Sequence, residues 1–131
     1  MLQRVQSLCL FFSGIISLLI LVYAPILELN GSVFVLKDFK NVISPGSLLF
    51  SATLSIYTIF QYRRRKLQMI LTKLARLLIL VCIVSLFLQA EEHINIRYGF
   101  YLILIPFLML LLAGYFIKKD EDIVRSADRI R

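Results

Sequence analysis

The chain has little of what soluble enzymes and metalloproteins are built around. Its two cysteines, Cys9 and Cys82, show neither CxxC nor metal-ligand spacing, and with a single histidine, His93, no clustered Cys/His ligand set exists. HExxH, a Walker-type glycine loop and GxSxG are all missing, which removes the common zinc, nucleotide and acyl-transfer signatures. Acidic residues are scarce, eight Asp and Glu against 15 Lys and Arg. No ionisable residue falls centrally in any of the four long apolar runs, so the usual marks of a proton or substrate pathway at membrane depth are absent from the sequence.

What is present is apolar and unevenly charged. Hydrophobic residues make up 60% of the 131 positions and the mean hydropathy is +0.84, against roughly 45–50% apolar in ordinary soluble domains. The apolar residues come in blocks too long for core helices of a soluble fold, which predicts spans at about 8–25, 44–62, 71–90 and 98–117. Of the 15 Lys and Arg, 12 lie on segments that alternate spans would place on one side: Arg4, residues 63–66, Lys73, Arg76, Lys118, Lys119, Arg125, Arg129 and Arg131. Positive charge marks the cytoplasmic side, so the expectation is an all-α, four-helix transmembrane bundle, up-down-up-down, N-in and C-in. Tyr23, Tyr98 and Tyr101 near one boundary and Tyr62 and Tyr115 near the other fit an aromatic belt. A net charge of +7 on a soluble domain would suggest nucleic acid; here topology accounts for it, and no nucleic-acid partner is expected.

The first run continues into Val22-Tyr23-Ala24-Pro25, a poor cleavage site, and so reads as an uncleaved span bent or ended by Pro25. The external segment after it carries Asn30-Gly31 before the β-prone Val33-Phe34-Val35-Leu36, a hairpin signal. In the second run Ser47, Ser51 and Ser55 recur every fourth residue, a stripe of small hydroxyls that reads as a helix-packing seam, with a polar conduit as the sharper alternative. Cys9 and Cys82 fall at different depths, which predicts no disulfide between them. The third helix is expected to begin in the interface, with Gln68, Thr72 and Arg76 on one face and Lys73 and Arg76 snorkelling to the headgroups. A kink is expected at Pro106 in the fourth span. Glu91-Glu92-His93 could ligate a metal on paper; sequential neighbours point in different directions, and a solvated cap is the plainer reading.

The last 14 residues, 118–131, are charged and helically patterned. Glu121 faces Arg125, Arg125 faces Asp128, and Ile123, Ala127 and Ile130 share a stripe, which predicts a cytoplasmic helical tail. The opening Met1-Leu2-Gln3-Arg4-Val5-Gln6-Ser7, the Arg65-Lys66-Leu67-Gln68 after the second span, and Ile117-Lys118-Lys119-Asp120-Glu121 with Val124-Arg125-Ser126-Ala127-Asp128-Arg129-Ile130-Arg131 together resemble a family of small four-span membrane proteins of unknown function from Bacteroidota. Members often carry Asn immediately before Arg-Lys-Leu-Gln, where this chain has Arg64. The resemblance implies an inner-membrane protein without a known activity and supplies no catalytic residue.

All three motif segments fall on the side the charge count assigns to the cytoplasm. Asp120, Glu121 or Asp128 is expected to pair with Arg4, Arg65 or Lys66 in a polar cap. The expected function is that of a non-enzymatic accessory or scaffold protein, without cofactor or metal. Its candidate binding residues for a partner protein, a second copy of the chain or anionic headgroups are Gln3, Arg4, Gln6, Arg65, Lys66, Gln68, Lys118, Lys119, Asp120, Glu121, Arg125, Asp128 and Arg129. A transporter or channel component is the alternative, and a membrane-embedded enzyme the third reading.

Overall fold

The computed structural model describes residues 2–29, 32–35, 42–89, 95–96 and 98–129. Helices α1 (Leu2–Tyr23), α2 (Ile43–Phe60), α3 (Arg65–Gln89) and the pair α4 (Tyr98–Leu102) and α5 (Leu104–Arg129) make a four-membered bundle. Around the ring α1 packs on α2, α2 on α3, α3 on α5 and α5 on α1, so each neighbour pair runs antiparallel. Strands β1 (Pro25–Leu29), β2 (Ser32–Val35) and β3 (Asn95–Ile96) form an antiparallel sheet in the order β2-β1-β3 across one end. The opposite end carries the α2–α3 turn, the start of α1 and the end of α5, and is rich in Arg and Lys.

A 3-4 spacing of buried positions makes these helices bundle. On α3 the inward residues are Gln68, Thr72, Ala75, Ile79, Cys82 and Leu86; on α5 and its lead-in they are Ile103, Pro106, Leu110, Ala113 and Ile117. On α1 they are Gln6, Leu10, Ser13, Ser17, Ile20 and, at its end, Ala24. Alternating steps of three and four average 3.5 residues, which keeps one seam facing the neighbours along the whole helix. Many inward residues are small or hydroxylic, while Phe11, Phe12, Phe50, Leu77, Val84, Phe87 and Leu108 face outward. That distribution inverts a soluble fold and suits a solvent as apolar as the side chains themselves. Among the described residues four helices are long and apolar enough to cross a membrane, and the chain is a multi-pass membrane protein.

Proline marks two boundaries. Pro25 ends α1, with the Ala24 amide still bonded back to Ile20 (3.2 Å) and β1 beginning at the proline itself. In the fourth span the interruption is at Ile103 rather than at Pro106. The ring of a helical proline collides with the carbonyl four residues earlier, here Leu102, and the Ile103 amide closes a tighter turn onto Phe100 (3.3 Å). Pro45, by contrast, sits in the first turn of α2, where an amide would have no helical acceptor anyway. The hairpin expected around Asn30-Gly31 is present as β1 and β2, paired from Pro25↔Val35 to Leu29↔Ser32.

The serine stripe of α2 is buried and its hydroxyls are engaged. Ser51 donates across the interface to the Ala75 carbonyl of α3 (2.9 Å), whereas Ser55 and Ser47 bond within α2 to the Ser51 and Ser44 carbonyls (2.8 and 3.0 Å). This is a packing seam that lets two backbones approach. Ser51→Val removes the bond between helices and is expected to destabilise the bundle by roughly 0.6–1.7 kcal/mol; Thr53→Val, where the exposed hydroxyl only bonds the Phe50 carbonyl of its own helix, should change little. Thermal unfolding of the two variants in detergent measures the difference.

Candidate functional site

At the basic end the α2–α3 connection is tight. The Gln61 amide bonds the Thr58 carbonyl (3.2 Å), Arg64 bonds Gln61 (2.9 Å), and Gln68 bonds Arg64 (2.9 Å), so one short turn reverses the chain and starts α3. The turn leaves Arg63 and Arg64 exposed and directs Arg65 toward α5. There Arg65 Nη2 meets Asp120 Oδ2 at 3.3 Å, and Arg65 Nη1 donates to the Asp120 backbone carbonyl, also at 3.3 Å. The side chains are 29% and 16% exposed, which shields this pair more than a free surface ion pair and gives its geometry weight. Two contacts from one guanidinium, to side chain and backbone, fix both position and angle of the helix they hold.

Because α5 does not stop at Ile117, this clamp acts on a continuous rod. Residues 118–129 add roughly 18 Å of helix beyond the buried Ile117. Between that extension and the turn lies an open cleft of about 710 Å³, lined by Arg63, Arg64, Arg65, Lys66, Leu67, Glu121, Val124 and Arg125. Five cations face one carboxylate there. Ile123 and Val124 are 49% and 41% exposed, so the extension presents an apolar strip beside the charge.

The residues named from the sequence do not all meet. Arg65, Lys66, Asp120, Glu121 and Arg125 are brought together around the cleft. Lys118 and Lys119 are exposed one turn nearer the bundle, and Arg4 lies apart on the α1–α2 side, in a groove with Ser7, Leu8, Phe11, Ile59 and Tyr62. Gln6 and Gln68 do not belong to the exposed face: they are 3% and 0% exposed and point into the bundle, because each falls on the 3-4 seam of its helix. The side chains of Gln3, Asp128 and Arg129 lie outside the described residues, as do Glu91, Glu92 and His93. Among the described residues Arg65–Asp120 is the single ion pair, and Glu121 and Arg125 share the cleft without closing on each other.

The interior behind the cleft has a feature the sequence did not announce. Gln68 Oε1 and Nε2 and Gln6 Oε1 are buried with no hydrogen-bond partner among the described residues, and Thr58 and Thr72 are buried on the same end of the bundle. The Thr72 hydroxyl is spent on the Gln68 backbone carbonyl (2.9 Å), so it does not serve the glutamine amide. The 3-4 count on α1 and α3, extended to their first turns, would have found both glutamines.

Residues 2–130 match the family described as a domain of unknown function (DUF4293). The chain belongs to this family. The match takes in all four spans, the turn and the tail, so the cleft is part of the domain rather than an appendage to it. No curated protein and no solved structure matches this DUF4293 chain.

Proposed function

We propose that this DUF4293 protein is a non-enzymatic accessory or scaffold protein of the bacterial inner membrane, with both termini in the cytoplasm, that docks a partner protein through its cytoplasmic face. The observation that carries the reading is the Arg65–Asp120 contact, which ties the α5 extension to the α2–α3 turn along one wall of the basic cleft. A tail that served only to stop translocation would need no such fixed position. Five cations and the exposed Ile123 and Val124 favour an acidic partner segment with an apolar face, since charge selects the partner and apolar contact retains it. The distribution of 12 cations against three supports the cytoplasmic assignment, and anionic headgroups would surround the same face. The Bacteroidota-like motif segments favour a source in that group. The alternative of a transporter or channel component is weakened by the serine stripe, whose hydroxyls are engaged in helix packing.

Crosslinking in native membranes tests this. A protein partner should be captured by the full chain, lost on deletion of residues 120–131, and weakened by Asp120→Arg, which sets two cations against each other and releases the extension. Capture that survives both changes would place docking elsewhere and end this reading.

A further inference from the structure

A second depression lies on the outer side of the α3–α5 interface, about 490 Å³, running from Leu111 and Gly114 at span depth to Lys118 and Asp122 beyond it. Gly114 forms its floor: a Cβ there would meet only the Thr72 methyl at 3.9 Å, so the missing side chain leaves a channel rather than relieving a clash. Leu111 and Tyr115, 37% and 61% exposed, open it sideways onto the bundle exterior.

The charges along it are placed at two depths. Arg65 lies opposite Asp120 and Thr72 opposite Gly114, so α3 and α5 keep an antiparallel register in which Arg76 is level with about residue 110. Arg76 therefore starts roughly 12 Å deeper than Lys118. Helical Cα–Cβ bonds tilt toward the N-terminus, which for α3 sends Lys73 and Arg76 up toward the basic end and for α5 sends Lys118 down toward the span. These tilts carry the three side chains toward one another, and all three line the depression. Arg125, Glu121 and Asp122 close the outer rim, leaving four cations against two carboxylates, and among the described residues none of the four makes an ion pair.

We propose that this groove is a binding site for an anionic phospholipid, with the phosphate between Lys73, Arg76 and Lys118 over Gly114 and an acyl chain running from there past Leu111. A phosphate supplies the missing counter-charge, and the apolar wall, with Leu111 at its deep end and Met69 and Tyr115 flanking the headgroup level, selects a lipid over a soluble anion. The site rests on the reading of the basic end as the headgroup-level, cytoplasmic face; it shares Glu121 and Arg125 at its outer rim with the protein-docking cleft, while Lys73, Arg76, Gly114 and Lys118 belong to it and not to the cleft.

The full chain, purified in mild detergent, should retain phosphatidylglycerol seen by native mass spectrometry, and added phosphatidylglycerol should raise its unfolding temperature where phosphatidylcholine and inorganic phosphate do not. Removing a cation by Arg76→Gln or Lys118→Gln should weaken retention roughly fivefold each, with Arg76→Lys restoring most of it. Gly114→Leu, which fills the channel and leaves every charge in place, should abolish retention. Equal retention by Arg76→Gln and Gly114→Leu would overturn the site, and so would stabilisation by inorganic phosphate equal to that by the lipid. Partner capture that persists while lipid retention proves indifferent to these variants would sink the lipid site and leave the docking reading standing; loss of capture sensitivity to the tail with retention intact would do the reverse.

Discussion

Gly99→Ala should lower the unfolding midpoint of the protein more than any other single methyl addition at its described glycines. A Cβ at Gly99 would overlap the Pro25 carbonyl oxygen, lie 2.8 Å from the Pro25 carbonyl carbon and 3.2 Å from the Ala24 Cβ. The obstacle is backbone, so it cannot rotate away as a side-chain tip would. Pro25 opens β1, the central strand of the sheet, and α4 is pressed directly against that strand. Admitting the methyl means lifting α4 off β1, and the four-residue step from Gly99 to the break at Ile103 is too short to absorb the shift. The expected cost is about 1–3 kcal/mol for Gly99→Ala and more for Gly99→Val. Gly46→Ala is the natural control, since its Cβ would touch only Val42 Cγ1 at 4.0 Å inside the first turn of α2; there the change should be neutral or stabilising by up to ~1 kcal/mol. Thermal unfolding in detergent separates the two, and equal midpoints would show that α4 and β1 are not held at this distance.

The same region shows where the sequence was readable and where it was not. Proline and the Asn30-Gly31 pair are local signals, so the end of α1 and the β1–β2 hairpin follow from a few neighbouring residues. Strand β3 is two residues long and exists only because Asn95 and Ile96 reach Glu28 and Leu27, a pairing between loops that no local pattern encodes. The break before Pro106 was legible as a kink but not in position, because the clash falls on a carbonyl a full turn earlier. At the basic end, opposite charges on two motif segments announced a pairing, and burial of the pair selected Arg65 with Asp120 from several combinations. The charged neighbours of Gln6 and Gln68 in the sequence suggest an exposed position for both. In a water-soluble protein that inference is safe. In lipid, the outer surface is as apolar as the core, so polarity no longer tells inside from outside, and a glutamine near the start of a span can turn inward.

That inward turn has a measurable consequence: Gln68→Leu should stabilise the protein. Both side-chain amide atoms are buried without a partner among the described residues, at 0% exposure, and such groups typically cost about 1–3 kcal/mol. Leucine has nearly the same volume, fits the 3-4 seam between Arg65 and Thr72 and leaves the Thr72 bond to the backbone carbonyl untouched. A gain of roughly 1–2 kcal/mol is expected, because the unfolded chain in a membrane also finds partners for the amide. Gln68→Ala removes the same polar atoms but opens a cavity, so it should fall below Gln68→Leu and separate polarity from packing. Gln6→Leu should act in the same direction through Gln6 Oε1, and if the two glutamines share one polar pocket the double variant will gain less than the two single gains combined. Midpoints of thermal unfolding in detergent decide this. A lower midpoint for Gln68→Leu than for the parent chain would mean the amide is already satisfied, by an internal water with its own hydrogen bonds at the base of the cleft.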